Sequence, residues 1–164
     1  MISESEKERL FEQILAENKR RLHLFARANA RGDSARDLEQ EILLQIWRSI
    51  DLYEGRSNLK TWFYGIAYNT LRDFKRTNRR PEVAIGSVPA AAIASASGPP
   101  DRIERLHVID EFMRSIEDVD RALLVMYLDG CSYQEISEAT AVEEGTLRVR
   151  IHRLKKELAK FAES

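Results

Sequence analysis

Two stretches of the chain carry enough cationic side chains to neutralise phosphate groups. Residues 72–80 hold five basic side chains against one acid, a net charge of +4, and residues 144–157 hold five against two, a net charge of +3. Residues 101–121, between them, carry seven acids and four basic residues, a net charge of −3. The whole chain has a net charge of −1, so the local patches are more informative about nucleic-acid binding than the total.

No combination of residues predicts a catalytic centre. His23, His107 and His152 are scattered over separate predicted helices, and the sequence has no zinc-protease, phosphate-loop or serine-hydrolase motif. Cys131 precedes a helix start, where a thiolate could be favoured, but is better explained as a small residue at a turn. Three acids within residues 37–41 do not converge well enough on a helix to bind a cation. We therefore predict that the chain is not an enzyme and needs no metal or other cofactor.

The second basic stretch belongs to a predicted helix-turn-helix. Ser132 followed by Glu135 is the pattern of a capping box, and a turn is expected near Thr140–Val142. A second helix from about Glu144 places four apolar residues on one stripe, namely Leu147, Ile151, Leu154 and Leu158. Its basic residues then face outwards, as in a helix that lies in a DNA major groove. An ordinary helical hairpin with a solvated charged face is the alternative.

The first basic stretch ends a predicted helix over residues 59–78 that is rich in aromatic residues. We expect Trp62 and Phe63 to lie in the core, and Tyr64, Tyr68 and Asn69 to lie nearer the surface. Aromatic side chains beside Arg and Lys suit single-stranded nucleic acid, because bases stack on the rings while cations pair with phosphates. Alternatively, the tyrosines are core residues and the basic residues complement a helix C-terminus.

Three further features complete an all-α prediction. After a frayed lead-in over residues 1–8, a helix is expected over residues 10–30, and a turn with Asp33 or Ser34 as N-cap leads into the next helix. That second helix has an apolar stripe, namely Leu38, Ile42, Ile46 and Ile50, and an opposite face of acids and amides that could dock a basic partner. Beyond residue 100, one helix is expected with an apolar face from Ile103 to Ile116, and another from Val119 to Leu128.

The chain is expected to fold as two small helical modules. Residues 81–100 are poor in charge and rich in Ala, Ser, Gly and Pro, which predicts a linker. The predicted modules are residues 9–80 and residues 101–162. The polar, acidic first residues do not have the pattern of a secretory signal, and the single cysteine fits a reducing compartment, so a cytoplasmic protein is expected.

Four motifs together resemble one family, the extracytoplasmic-function (ECF) sigma factors of the sigma-70 family. Asp37–Glu41 with Trp47 resembles the DLxQE…W signature of region 2, and Trp62–Asn69 followed by Arg72-Asp73 resembles its WLxxIAxN…D helix. Tyr133–Ser137 resembles the YxEIA of region 4, and Gly145–Arg153 resembles GTVxSRxxR. The chain departs from the family pattern at Ala141, Glu143 and Val149, where Gly, Ser and Ser are common.

The resemblance implies an all-α sigma factor, in the bacterial cytoplasm, that binds core RNA polymerase and recognises and opens promoter DNA. The polymerase-binding residues would be Asp37, Gln40 and Glu41. Those for the −10 element would be Asn58, Lys60, Tyr64 and Asn69, with Arg72, Lys75, Arg76, Arg79 and Arg80 on the DNA backbone. Those for the −35 element would be Arg148, Val149 and Arg153 near base edges, with Thr146, Arg150 and Lys156 on phosphates.

Two other functions have much the same sequence pattern. A helix-turn-helix regulator could bind duplex DNA without joining polymerase, and the acidic helix at residues 37–47 is the feature that distinguishes it from a sigma factor. A helical adaptor could act by being sequestered. The family resemblance also implies an anti-sigma factor as a partner.

Overall fold

The computed structural model describes residues 2–77 and 100–163 and is entirely helical over those residues. The helices are α1 (Glu4–Asn29), α2 (Gly32–Ser49), α3 (Leu59–Thr77), α4 (Pro100–Ser115), α5 (Asp118–Leu128), α6 (Tyr133–Thr140) and α7 (Glu144–Glu163), with a short 3-10 turn at Ile50–Leu52. The predicted all-α fold is confirmed. None of the helices in the described part is both long and apolar enough to cross a bilayer. The predicted linker lies outside the described residues, except for Pro100.

Helix α1 begins well before the predicted start at residue 10. The Ser3 hydroxyl accepts a hydrogen bond from the Glu6 amide at 3.2 Å, and the Glu6 carboxylate accepts one from the Ser3 amide at 2.9 Å. This reciprocal capping box satisfies two amides that a helix start leaves without partners. The predicted frayed lead-in was therefore wrong.

The start of α2 also differs from the prediction. Its N-cap is Arg31, whose side chain makes no capping hydrogen bond, rather than Asp33 or Ser34. Gly32 has a φ of +43°, which lets the chain turn from the extended residues Ala30 and Arg31 directly into the helix. Asp33 consequently lies in the first turn, where the helix dipole favours an acid.

The first module is a three-helix core of α1, α2 and α3. The predicted stripe of α2 is confirmed, because Leu38, Ile42, Ile46 and Ile50 are all buried. Phe25 of α1 and Phe63 of α3 are also completely buried. Phe11 and Trp47 pack edge to face at 5.3 Å and join α1 to the outer side of α2.

The second module is built from α4 to α7. Phe112 of α4 meets Phe161 of α7 at 5.8 Å, whereas Ile103, predicted on the buried face, is 51% exposed. The ring contact lies in the C-terminal part of α4, whereas residues 102–105 are exposed, so the start of the helix lies outside the core. The buried Arg121 of α5 donates to the carbonyls of Met113 and Ile116 at 2.7 and 2.8 Å and thereby closes the C-terminus of α4.

A buried and an exposed leucine in the first module should respond differently to truncation. Leu38→Ala empties a fully buried site and should lower the free energy of unfolding by about 2–5 kcal/mol. Leu52, which is 78% exposed, is the control, and Leu52→Ala should change the free energy of unfolding by less than about 0.5 kcal/mol. Urea unfolding measures both, and similar effects of the two substitutions would contradict the described packing.

Candidate polymerase and DNA interfaces

The predicted polymerase-binding side chains share one open face of α2. Asp37, Gln40 and Glu41 are exposed and line a groove of about 740 Å³ between α2 and α3. Asn69, a predicted −10 residue, is exposed and lies in the same groove. Glu39 points elsewhere, because its carboxylate is 3.0 Å from the His23 ring on α1. The three predicted residues therefore form one acidic and amide-rich surface.

Two tyrosines of α3 that were predicted near the surface are buried. Tyr64 is 2% exposed and Tyr68 is 5% exposed. The Tyr64 hydroxyl donates to Oδ2 of Asp129 at 2.7 Å, and Nε of Arg21 donates to the same oxygen at 2.6 Å. Burial, followed by the hydrogen bond to Asp129, raises the pKa of Tyr64 far above its ordinary value. Tyr64 is thus a neutral donor that joins α3 to the second module.

Arg21 is held in place on the α1 side of this contact. Its Nη1 atom donates to Oδ1 of the buried Asn18 at 3.1 Å and to the Glu17 carbonyl at 3.2 Å. The guanidinium therefore faces Asp129 in a fixed orientation. Asp129 lies at the end of α5, so α1, α3 and α5 meet at one carboxylate.

The Glu135 carboxylate joins the start of α6 to the start of α3. Within α6, it completes the predicted capping box by accepting from the Ser132 amide at 2.9 Å. Across the module boundary, its Oε2 atom accepts from Asn58 Nδ2 at 3.2 Å and from Thr61 Oγ1 at 3.0 Å. Asn58 in turn caps α3, because its Oδ1 atom accepts from the Thr61 amide at 2.8 Å.

These hydrogen bonds favour the charged form of Glu135. They lower its pKa to about 2, mainly through the Ser132 amide and then through the Asn58 side chain. Asn58, a predicted −10 residue, is therefore engaged by a negative charge from the second module. Cys131 lies nearby, and burial raises the pKa of its thiol to about 11, which fits the inert turn residue expected.

A glycine allows α3 and α6 to approach closely. A Cβ atom at Gly65 would lie 3.6 Å from the carbonyl oxygen and 3.7 Å from the Cα atom of Ala139. These are ordinary van der Waals distances, so a methyl group fits at Gly65 and would touch the backbone of α6. Thr61, Tyr64 and Gly65 of α3 thus all contact the second module.

The basic end of α3 is partly engaged within the chain. Arg72 is exposed and lies 5.9 Å from the centre of the Tyr68 ring, and Arg76 pairs with Asp73 at 3.2 Å. Lys75 lies 4.0 Å from Asp118 of the second module. Lys60 is half-buried beside the start of α3, and Arg79 and Arg80 lie outside the described residues.

The helix-turn-helix has the predicted boundaries. Ala141, at a φ of +62°, takes the left-handed conformation that ends α6, and α7 begins at Glu144. Leu147, Ile151 and Leu154 are buried, as predicted, and Leu158 is half-buried. Val149 is 70% exposed, with Thr146 and Lys156 also exposed.

Two aromatic rings support cations on one flank of α7. Arg148 lies 4.8 Å from the centre of the Tyr133 ring, and Lys155 lies 4.9 Å from that of Tyr127. The two rings are stacked at 6.1 Å. On the opposite flank, Arg150 and Arg153 approach Asp120, an α5 residue that the sequence did not single out.

The described residues hold no cluster of three or more side chains that could ligate a metal ion. The candidate surfaces in this part of the chain are an acidic face on α2, a covered face on α3 and a basic, exposed face on α7. This arrangement suits recognition of two different partners, one protein and one nucleic acid.

Comparison with protein families decides the identity. The sigma-70 region 2 family matches residues 14–81, and the sigma-70 region 4 family matches residues 106–158. The RNA polymerase sigma factor CarQ of Myxococcus xanthus is 31% identical over 147 residues, covering 87% of this chain and 83% of that protein. The chain is an ECF sigma factor of the sigma-70 family. The ECF sigma-E factor of Escherichia coli K12 is also similar, at 30% identity over 71% of this chain and 68% of that protein.

Two solved structures have the same fold. CnrH in complex with the cytosolic domain of CnrY superposes with a TM-score of 0.67 at 20% identity, over 95% of this chain and 89% of that one. RpoE of Bartonella quintana in complex with the anti-sigma factor NepR gives 0.68 at 21% identity, over 93% and 96%. As a sigma factor, the protein binds core RNA polymerase and directs transcription initiation at promoters, which sets aside the regulator that acts without polymerase.

The contact between α3 and α6 should tolerate one added methyl group at Gly65 and no more. Gly65→Ala, the control, fits the 3.6 Å gap to Ala139 and should leave the radius of gyration unchanged in small-angle X-ray scattering. Gly65→Leu should separate the modules and increase the radius of gyration. Equal radii for two folded variants, as checked by circular dichroism, would show that the close approach does not hold the modules together.

Glu135 should contribute to stability in a defined pH range. Because its pKa falls from 4.5 to about 2 in the folded chain, its contribution is complete above pH 4.5 and disappears as the pH falls towards 2. Glu135→Gln should therefore lower stability at pH 7 and reduce its loss between pH 4.5 and pH 2, as measured by urea midpoints. Glu138→Gln, on the exposed face of α6, is the control. If the urea midpoints of wild type and Glu135→Gln changed with pH in the same way, the role given to Glu135 would be contradicted.

Proposed function

We propose that this sigma factor binds core polymerase through α2, captures the opened −10 strand with α3, and reads the −35 element with α7. One observation supports this division most strongly: the acidic face of α2 and the exposed face of α7 are open, each on a different module. The predicted domain limits, residues 9–80 and 101–162 with a linker at 81–100, fit this division. The protein contributes recognition, whereas polymerase carries out the chemistry of transcription.

On this proposal, Asp37, Gln40 and Glu41 dock on polymerase as a group. All three are exposed within about one turn of α2, so they can face one partner surface simultaneously. Their acids and amides suit a basic surface and would repel DNA phosphates. On this proposal, polymerase binds the acidic face of α2, and DNA binds a different face of the same module.

The −10 strand would bind the side of α3 that α6 covers in this structure. Tyr64 is buried and donates to Asp129, so it becomes available to DNA only after the modules separate, whereas the exposed Asn58 would exchange its bond to Glu135 for one to DNA. A phosphate would then replace the carboxylate of Glu135 beside Asn58 and Lys60. Asn69 borders the adjacent groove, and the basic residues Arg72, Lys75, Arg76, Arg79 and Arg80 would follow the DNA backbone.

The −35 duplex would meet the exposed side of α7. Val149 can contact a thymine methyl group, and Arg148 and Arg153 flank it with guanidinium groups that suit guanine edges. Thr146, Arg150 and Lys156 would contact phosphates. The weak overall charge of the chain limits binding to DNA in the absence of polymerase, because that binding depends on phosphate neutralisation.

An anti-sigma factor is the proposed regulatory partner, acting on the protein in the bacterial cytoplasm. One structurally similar protein, the sigma factor RpoE, was solved with the anti-sigma factor NepR, and another, CnrH, was solved with the cytosolic domain of CnrY. A partner that bridges both modules would stabilise the contact of α3 with α6. It would thereby keep Asn58 and Tyr64 away from DNA.

Removing two acids from α2 should abolish polymerase binding without unfolding the chain. Asp37→Ala combined with Glu41→Ala should eliminate transcription by purified core polymerase from a genomic promoter library. The double variant should also no longer co-migrate with core polymerase in gel filtration. Glu39→Ala is the control, because it removes an acid of the same helix that faces His23. Undiminished transcription by the double variant would refute the docking surface, and a folded wild-type chain that starts no transcription would refute the proposed function.

A further inference from the structure

A buried carboxylate lies between α5 and the proposed DNA-reading helix. The side chain of Asp120 is only 6% exposed, and its Oδ2 atom accepts a hydrogen bond from Nη2 of Arg153 at 2.8 Å. Its Oδ1 atom is 3.6 Å from Nε of Arg150, beyond hydrogen-bond geometry, and has no hydrogen-bond partner within the described residues. One acid therefore serves two cations, and both belong to α7.

The two arginines are only partly covered by this contact. The side chain of Arg150 is 30% exposed and that of Arg153 is 51% exposed. Each guanidinium thus has one side against Asp120 and the other towards solvent. Glu157 also approaches Arg153, at 3.6 Å, but it is itself 48% exposed and one turn away on the same helix.

Helix stability accounts for only part of this arrangement. An acid in the first turn of α5 is favoured by the helix dipole, and Asp118 already supplies one there. A buried acid is costly unless it is paired, and its partners here come from the surface proposed to read DNA. Asp120 alone cannot neutralise both arginines, and its contact with them restricts the rotation of their side chains.

We propose that Asp120 is a positioning residue for −35 recognition, which orients Arg150 and Arg153 and reduces their attraction to arbitrary phosphates. This inference rests on the proposed role of α7. On the opposite flank, Tyr133 and Tyr127 hold Arg148 and Lys155 without changing their charge. Asp120 therefore differs from the two tyrosines, because on this proposal its negative charge both orients the arginines and lowers their non-specific binding to DNA.

The experiment measures the selectivity of holoenzyme and its dependence on salt. Core polymerase is reconstituted with each variant and mixed with duplex DNA that is randomised over the upstream promoter positions. Affinities for the enriched duplexes and for the unselected pool are then measured over a series of potassium chloride concentrations. The variants are Asp120→Asn, Glu157→Gln and, as a control at the start of α5, Glu117→Gln, whose side chain makes no capping hydrogen bond.

Asp120→Asn should bind the unselected pool more tightly and steepen the plot of log affinity against log salt by about one unit, because one further phosphate contact forms. The preference for enriched over unselected duplexes should fall about three- to tenfold, because two side chains must now be ordered on binding. Glu117→Gln should change neither quantity. Glu157→Gln should leave the preference unchanged, because it leaves the buried contact intact.

The possible failures can be told apart. If Arg148→Ala and Arg153→Ala do not affect selection of the upstream positions, the proposed role of α7 is wrong. If they do affect it while Asp120→Asn behaves as Glu117→Gln does, only the positioning role is wrong. Should Asp120→Asn fail to fold, ¹⁵Nε relaxation of the wild-type chain decides: Arg150 and Arg153 should be ordered without DNA, and motion as free as that of the exposed Arg36 would overturn the proposal.

Discussion

The contact between α3 and α6 is the constraint on which the rest of the structure depends. Gly65 permits the close approach, and two carboxylates of the second module, Asp129 and Glu135, bind donors of the first. Because α3 also packs against α1 and α2, one helix serves both the core of its own module and the boundary with the other. Part of the surface proposed for the −10 strand, around Asn58 and Tyr64, therefore also holds the modules together.

The positions of the acidic residues explain how a chain of net charge −1 can be a DNA-binding protein. Asp37 and Glu41 lie on an open face suited to a protein partner. Asp129, Glu135 and Asp120 instead lie against the cations and donors proposed to contact DNA. On this proposal each of these three carboxylates would compete with a phosphate, so that local pairing rather than total charge would determine when the chain binds nucleic acid.

Local patterns predicted most of the fold, and tertiary contacts account for what they missed. The apolar stripe of α2 and the capping box at Ser132 depend on neighbours within one helix, and the spacing of residues in the sequence is enough to identify those neighbours. The sequence left a surface and a core position open for Tyr64, because its burial depends on Asp129, which is distant in the chain. The prediction that Ile103 is buried was wrong for the opposite reason, since an apolar residue on a helical stripe is buried only where another helix covers it. The Asp120 pairing likewise needed the positions of α5 and α7.

A distance between the modules tests the central claim most directly, namely that they are packed in the free chain and separate in the active complex. Spin labels at Lys19→Cys on α1 and Lys160→Cys on α7, both exposed positions, can be introduced with Cys131→Ala and measured by pulsed electron paramagnetic resonance. We expect one narrow distance distribution for the free chain and a clearly longer distance in holoenzyme bound to promoter DNA. An unchanged distance in transcriptionally active holoenzyme would contradict the account.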